Sequence, residues 1–289
     1  MKYKNGLPFS TQLGESFSDL NNRIKGNKAS LAIIDGGVGE GKTTLATHAA
    51  DYLNSLEGLS NISLDKRMHP QLSLGGKDFM KNLRVCFQEQ LPVIVYDEAG
   101  DFNRRGALTR FNATLNRIFE TFRAFKILVI LCLPSFHVLD NDLFDKQIPR
   151  LLVHCHDRTQ TYGNFRAYGL YRMFYIKEKM RKFTVRPQAY STTTPNYRGH
   201  FLDLDPKRSK LLDELSTKGK LDIMKKSEIS MDNLISYEEL AKAVNRSIIW
   251  CRGAVREIRL KHSRIIDKKK YFKRDDIERV LDYIDTKKN

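Results

Sequence analysis

Gly36-Gly37-Val38-Gly39-Glu40-Gly41-Lys42-Thr43 is the stretch that decides the fold of this 289-residue chain. It fits G-x-x-x-x-G-K-[ST] at every fixed position. An apolar run over 30–35 precedes it, and a helical pattern over 43–53 follows it. In this order, backbone N–H groups of the loop surround phosphates, and the positive end of the helix dipole adds to their attraction. The stretch therefore predicts a nucleoside triphosphate site in an α/β domain.

The residue types in this loop predict the role of each position. Lys42 is expected to contact the β- and γ-phosphates of ATP as a catalytic group, and the Thr43 hydroxyl is expected to ligate Mg²⁺. Asp35 stands where partition ATPases of the ParA and MinD type carry their signature lysine, which argues against that family. The predicted nucleotide-binding residues are Gly36, Gly37, Val38, Gly39, Glu40, Gly41, Lys42, Thr43 and Thr44.

Two adjacent carboxylates follow the second apolar strand, 92–96. Asp97 is expected to hold Mg²⁺ through water, and Glu98 is expected to polarise the attacking water as general base. P-loop kinases that phosphorylate small molecules seldom need this second carboxylate. The pair therefore favours ATP hydrolysis over phosphoryl transfer to a metabolite.

Two further catalytic roles are predicted from position. Ser135 follows the apolar strand 127–133 and is a candidate sensor of the γ-phosphate, although a polar residue at a strand end is also commonplace. One arginine is expected to act as an arginine finger in a neighbouring subunit's site, with Arg150 preferred, then Arg123 and Arg110. The remaining arginines are expected to be solvated or to face DNA. The arginines considered are Arg104, Arg105, Arg110, Arg117, Arg123, Arg150 and Arg158.

The order of segments predicts the fold class and the domains. Buried strands over 30–35, 92–96, 127–133, 151–155 and 168–176 alternate with helices, as in a mainly parallel sheet covered on both faces. Residues 1–185 are the predicted P-loop ATPase domain, 186–231 a linker with one helix near 209–215, and 232–289 a second domain. One helix is predicted to face the sheet through Phe111, Leu115, Ile118, Phe119 and Phe122.

The last 58 residues predict a small helical module with two short strands. Ser236 is expected to cap one helix with Glu239 completing a capping box, and Ser247 to cap a second helix over 248–260. Two short strands around a basic turn are predicted over 263–272, followed by a helix over 274–284. A helical protein-interaction domain is the alternative interpretation. The second helix carries Arg252, Arg256 and Arg259.

The charge of the chain favours a polyanionic partner. Fifty Lys and Arg oppose 34 Asp and Glu, for a net charge of +16, of which residues 232–289 carry +5. Neutralised phosphates release counterions, so duplex DNA is the expected partner. A basic protein without such a partner is the alternative, and the sequence offers no basic amphipathic helix with a large apolar face for a membrane.

The remaining patterns bear on the compartment and on metal binding. No apolar stretch approaches the roughly 20 residues that span a bilayer, and the four cysteines form no CxxC pair. A cytoplasmic, reduced protein without a membrane span is therefore predicted. His154-Cys155-His156 places two histidines on one strand face, but a structural strand is favoured over a metal site.

Several of these motifs together resemble known ATPases. The runs 95–100, 127–135 and 148–153 are similar to the ASCE branch of P-loop ATPases, and more narrowly to FtsK/HerA-type DNA translocases. Zonular-occludens-toxin-like and packaging ATPases of phages and mobile elements are relatives of that group. The resemblance covers residues 28–180. It implies an extra strand between the two Walker motifs and a homo-oligomer, with a hexameric ring that moves duplex DNA.

The C-terminal module resembles the winged helix-turn-helix of MerR and excisionase-like proteins. That resemblance implies a second helix in the major groove and a basic wing on phosphates. The leading hypothesis is an ATP-hydrolysing DNA motor of a phage or mobile element. The alternatives are an AAA+-like loader or transposition regulator that uses ATP as an assembly switch, and a DNA-binding regulator whose ATP site tunes binding.

Overall fold

Two units make up the chain, Met1–Thr217 and Lys218–Asn289. The computed structural model describes residues 6–59, 71–74, 76–97, 126–139, 141–182, 188–215, 217, 234–260, 262, 264–266, 269–274 and 276–286.

The first unit contains a seven-stranded sheet in the order β2-β3-β4-β1-β5-β6-β7. The strands from β2 to β5 in this order pair in parallel, whereas β6 and β7 continue the sheet as antiparallel strands. β4 lies between β1 and β3, as the resemblance to ASCE ATPases implies. The strands are β1 (Leu31–Gly36), β2 (Leu72–Ser73), β3 (Val93–Asp97), β4 (Leu128–Leu133), β5 (Pro149–His156), β6 (Tyr162–Gly169) and β7 (Tyr197–Leu202).

Helices cover both faces of this sheet. Alternate residues of β1 face opposite sides, with Leu31 and Ile33 in one core cluster and Ala32 and Ile34 in the other. The second of these clusters contains α1 and α2, and the first contains α3 to α6. The helices are α1 (Thr11–Lys25), α2 (Lys42–Leu56), α3 (Gly76–Gln88), α4 (Asn141–Asp145), α5 (Leu170–Lys182), α6 (Gln188–Ser191) and α7 (206–215), with a 3₁₀ turn over Phe136–Val138.

The predicted strand over 168–176 is wrong. β6 ends at Gly169, and α5 begins at the next residue. Met173, Ile176 and Met180 recur at helical spacing and are buried against the sheet, while Tyr171 is exposed. The run is amphipathic with a period near 3.6, which is the spacing of a helix.

The structure also differs from the predicted linker over 186–231. β7 lies inside that stretch and pairs with β6, so the first unit extends to Thr217 instead of residue 185. The helix expected near 209–215 spans 206–215. The 186–231 stretch is rich in polar residues, and β7 forms within it because it pairs with β6, about 35 residues earlier in the chain.

Within its described residues, the second unit has a three-stranded antiparallel sheet in the order β8-β10-β9 and three helices. Ser236 and Glu239 form the predicted capping box, and Ser247 accepts a hydrogen bond from the Trp250 backbone N–H. A separate apolar core joins the helices to β10 through Phe272. The elements are β8 (Leu234–Ser236), α8 (Tyr237–Ala243), α9 (Ile248–Glu257), β9 (Arg264–Ile266), β10 (Lys269–Lys273) and α10 (Asp276–Thr286).

None of the helices in the described ranges combines the length and apolar character needed to cross a membrane. All four cysteines are free thiols in buried positions.

Candidate nucleotide-binding site

The carboxyl ends of four parallel strands meet at one edge of the large sheet. Asp97 of β3 is in register with Cys132 of β4, and Gly36 of β1 is in register with Cys155 of β5. Parallel strands present their following loops at the same edge, where ligands of open α/β sheets bind. The glycine-rich loop, the acidic strand end and the loop after β4 therefore lie at the same edge of the sheet.

Glycine is required where the loop passes β5 and where α2 begins. Gly36 has φ 145°, and a Cβ on it would lie 2.4 Å from the Cys155 carbonyl oxygen. Gly41 precedes α2 in the left-handed region at φ 80°, and a Cβ there would lie 2.9 Å from the Phe201 ring. The loop can thus curl closely against its neighbours.

Lys42 and Thr43 stand at the start of α2 with their side chains directed at the loop and the acidic strand. Lys42 Nζ donates to the Gly36 carbonyl at 3.0 Å and to the Gly37 carbonyl at 2.6 Å. Thr43 Oγ1 donates to Asp97 Oδ2 at 2.7 Å. An ammonium, a hydroxyl and a carboxylate therefore converge at the base of the glycine-rich loop.

The residues present fit a magnesium-bound nucleotide. Hydroxyl and carboxylate oxygens are the hard ligands that Mg²⁺ takes from proteins while it keeps several waters and binds phosphate oxygens. Thr43 Oγ1 and Asp97 Oδ2 are close enough to serve one ion, and four of the six residues before Lys42 are glycines. Thr44 is the next residue of α2 and is buried.

A buried carboxylate immediately before the loop joins four elements. Asp35 is 1% exposed and accepts from the Phe136 backbone N–H at 3.0 Å and from the Tyr190 hydroxyl. His154 Nδ1 lies 2.9 Å from its other oxygen, and the His154 ring stacks on Tyr190 with centroids 3.7 Å apart. Burial, followed by the Asp35 charge, raises the pKa of Tyr190 well above its usual range, so its hydroxyl remains a donor.

Two other predicted catalytic residues, Ser135 and Arg150, lie at opposite edges of the sheet. Ser135 follows β4 at the carboxyl edge and accepts from the His137 backbone N–H. Arg150 lies near the amino end of β5, one residue after the partner of Leu31, and so at the opposite edge of the sheet from the loop. Burial lowers the pKa of Arg150, with Arg23 nearby adding to the effect.

Several predictions lie outside the described residues. These are the general base Glu98, the helix containing Phe111, Leu115, Ile118, Phe119 and Phe122, and the arginines Arg104, Arg105, Arg110, Arg117 and Arg123.

The structure adds residues to the site that the motif did not indicate. Glu40 accepts from the Arg158 backbone N–H at 3.0 Å, and the Arg158 guanidinium donates to Asp203 at 2.8 Å. Phe201 fills the space beside Gly41. Arg158 was one of several arginines considered, and no local pattern marked Asp203 or Phe201, because pairing of β6 with β7 brings them to the loop.

Within the described ranges, no group of three or more His, Cys, Asp and Glu side chains could hold a metal ion. His154 and His156 share a strand face with ring centroids 6.1 Å apart, and His154 contacts Asp35. The proposed magnesium site differs from such a group, because it takes only one hydroxyl and one carboxylate from the protein.

The second unit has a basic cavity of its own. It measures about 590 Å³ and lies between α8, α9 and β10. Arg252 stacks on the Tyr237 ring at 5.6 Å. The lining residues are Tyr237, Glu238, Arg252, Val255, Arg256, Arg259, Leu260, His262, Lys270 and Phe272. Four Lys and Arg side chains against a single carboxylate make this surface attractive to anions.

No protein-family model matches this chain, and no curated protein does. Among solved structures, it is similar to the N-terminal domain of zonular occludens toxin from Neisseria meningitidis, with 11% identity and a TM-score of 0.27 over 49% of this chain and 84% of that chain. It is also similar to the flagellar accessory protein FlaH from Methanocaldococcus jannaschii, with 17% identity and a TM-score of 0.24 over 53% and 83% of the two chains. At TM-scores this low, neither similarity indicates a function for this chain.

Proposed function

We propose that this chain is an ATP-hydrolysing motor that acts on duplex DNA. The observation that carries the ATPase part is the 2.7 Å contact between Thr43 Oγ1 and Asp97 Oδ2 at the base of the glycine-rich loop. Fifty-four residues separate the two groups along the chain, and two different strands bring them to one point. A glycine-rich turn that matched the motif by chance would not be expected to contact an acidic residue at the end of another strand.

Each residue of the site has a distinct task in this proposal. Lys42 leaves the carbonyls of its own loop to neutralise the β- and γ-phosphates, and the loop N–H groups hold their remaining oxygens. Thr43 and Asp97 would hold Mg²⁺, and the ion would supply positive charge to neutralise the phosphates. Glu98 takes the proton of the attacking water, and Ser135 senses the γ-phosphate from the end of β4.

The DNA part of the proposal is supported by the charge and by the second unit. The order α8, turn, α9, β9, β10 fits a winged helix-turn-helix, in which α9 would enter the major groove and the β9–β10 turn would contact phosphates. Arg252, Arg256 and Arg259 lie along α9 and its C-terminal end. Such contacts predict affinity that falls steeply with salt.

The position of the proposed arginine finger supports an oligomer. Arg150 lies at the opposite edge of the sheet from the glycine-rich loop of its own chain, the proposed phosphate loop. It could reach a γ-phosphate only in a neighbouring subunit, as a homo-oligomeric ring would allow. The cytoplasm, where ATP and DNA are both present, is the compartment we propose.

Steady-state ATPase assays with duplex DNA of increasing length test this function. The wild type is expected to turn over faster as the DNA lengthens. Glu98→Gln is expected to bind ATP within about threefold of wild type yet lose at least about 100-fold in kcat, because it lacks the general base. Lys42→Ala is expected to lose ATP binding. Arg181→Ala, at an exposed arginine on α5, is the control and should keep wild-type ATP binding and turnover.

The outcomes separate the hypotheses. Stimulation that does not depend on DNA length, accompanied by ATP-dependent assembly, would favour the loader. Site-specific DNA binding that persists in Lys42→Ala would favour the regulator. Wild-type turnover by Glu98→Gln would remove that residue from its proposed role.

A further inference from the structure

The phosphate loop has one catalytic flank and one flank that the hydrolysis chemistry does not use. β4 and β3 lie on one side of β1 and bring Ser135 and Asp97 to the edge. β5, β6 and β7 lie on the other side. A triphosphate whose γ-phosphate and Mg²⁺ contacted the first flank could place its nucleoside end against the second.

A cavity of about 550 Å³ opens on that second flank beside the loop. Its lining consists of Gly39 of the loop, Arg158, Thr159 and Gln160 of the β5–β6 turn, and Asp203 directly after β7. The space beside Gly39 is open, since a Cβ on it would meet no atom within 4 Å. The space is shallow and largely open to solvent, and its volume falls within the range of small-molecule sites.

Hydrogen bonds hold the walls of the cavity in place. Thr159 Oγ1 donates to the Tyr162 carbonyl at 2.9 Å, and the Asp203 backbone N–H donates to the Thr161 carbonyl at 3.0 Å. The Glu40 carboxylate anchors the turn to the loop through the Arg158 N–H. The turn, the end of β7 and the phosphate loop are therefore positioned relative to one another before any ligand binds.

The polar groups match a ribose and a base better than they match further phosphates. The Arg158 guanidinium is paired with Asp203 at 2.8 Å, so the local charge is balanced. A carboxylate accepts hydrogen bonds from hydroxyl groups, a planar guanidinium stacks on aromatic rings, and a glutamine amide offers both a donor and an acceptor. An exposed glutamine, Gln160, stands on the turn.

We propose that this cavity is the nucleoside subsite of the ATP site. Asp203 accepts hydrogen bonds from the ribose hydroxyls, Arg158 stacks on the base, and Gln160 pairs with the edge of the base. This inference rests on the proposed function, because a nucleotide must bind the phosphate loop for its nucleoside to reach the cavity.

Calorimetric titration of the full chain with Mg²⁺-ATP and with Mg²⁺-tripolyphosphate tests the subsite. Tripolyphosphate keeps the phosphates and lacks the nucleoside. Arg158→Ala and Gln160→Ala are each expected to weaken ATP binding about tenfold and to leave tripolyphosphate binding unchanged, since one lost contact of about 1.4 kcal/mol is a factor of ten. Lys42→Ala is expected to weaken both ligands. Arg181→Ala and Gln188→Ala, exposed residues outside the cavity, are matched controls.

Each other outcome overturns the subsite in a recognisable way. Equal weakening of ATP and tripolyphosphate would make Arg158 a phosphate contact, and unchanged binding of both would remove the cavity from the site. Gln160→Ala leaves the Arg158–Asp203 pair intact, so it decides the question if Arg158→Ala unfolds. A wild type that binds neither ligand would contradict the proposed function itself, and the subsite with it.

Discussion

Asp35 shows how much one side chain can organise at this site. It lies at the end of β1, and its two oxygens are shared among the Phe136 N–H, the Tyr190 hydroxyl and the His154 ring. A carboxylate that is 1% exposed is stable only when its oxygens are hydrogen-bonded. These contacts connect the strand before the phosphate loop to the residues after Ser135, where the γ-phosphate sensor is proposed.

The stability of the protein is therefore expected to depend on the Tyr190 hydroxyl. Tyr190→Phe should lower the free energy of unfolding by about 1.5–3 kcal/mol, because hydrogen bonds to charged groups contribute that much. Urea unfolding of the two proteins measures the difference. Tyr175→Phe, a tyrosine that is 56% exposed on α5, is the matched control and should change stability by less than about 0.5 kcal/mol. Equal effects of the two substitutions would show that the Asp35 contact adds nothing.

α2 is the element that joins the phosphate site to the far edge of the sheet. It begins at Lys42 and packs against β1, β3 and β4 through its apolar face. Further along, His48 Nε2 lies 3.0 Å from the Leu202 carbonyl at the end of β7. His48 Nδ1 is buried and has no hydrogen-bond partner among the described residues, so the neutral ring with its proton on Nε2 is the form that fits.

Stability is expected to fall in mild acid because of this helix contact. Burial lowers the pKa of His48 from 6.5 to about 4. The unfolded chain therefore binds a proton first as the pH drops below 6.5, and stability present at neutral pH is lost between about pH 6.5 and pH 4. Between pH 7 and pH 5 the loss from this group is about 2 kcal/mol.

His48→Gln should remove that part of the acid sensitivity, because glutamine can still donate to the Leu202 carbonyl and has no proton to gain. Urea unfolding at pH 7 and pH 5 compares the two proteins. His200→Gln, at an exposed histidine of β7, is the control and should keep the wild-type pH dependence. The same loss in His48→Gln as in wild type would assign the acid sensitivity to other groups.

At the scale of the whole molecule, the two units have separate apolar cores. The clusters on the two faces of the large sheet contain residues up to 215, and the cluster of the second unit begins at Ile235. Each unit thus buries its own apolar surface, which is the main favourable term in folding. The proposed activities divide in the same way, with ATP in the first unit and the recognition helix in the second.

A chain ending at Thr217 is therefore expected to fold and to bind Mg²⁺-ATP within about twofold of the full chain. Its affinity for duplex DNA should fall at least about tenfold, and its binding should depend less on salt, because fewer phosphates are neutralised. Circular dichroism checks folding, calorimetry measures ATP binding, and fluorescence anisotropy at several salt concentrations measures DNA binding. Loss of ATP affinity in a folded truncated protein would contradict the division of tasks.

Local sequence patterns were enough to predict several elements of the fold and of the candidate site. The loop 36–43, the strand before Asp97 and the capping box at Ser236 were found where predicted, because each depends on spacings of a few residues. The strand proposed over 168–176 shows the limit of that approach, since a short aromatic run fits either period until its partners are known.

Contacts between distant segments were decided only by the tertiary structure. Asp35 and Tyr190 are 155 residues apart, and Arg158 meets Asp203 only because β6 and β7 extend the sheet. No spacing rule connects such pairs, because strand order and register depend on how the whole sheet buries its two faces. The motif determined the loop that is proposed to hold phosphates, and the packing of remote strands determined what surrounds it.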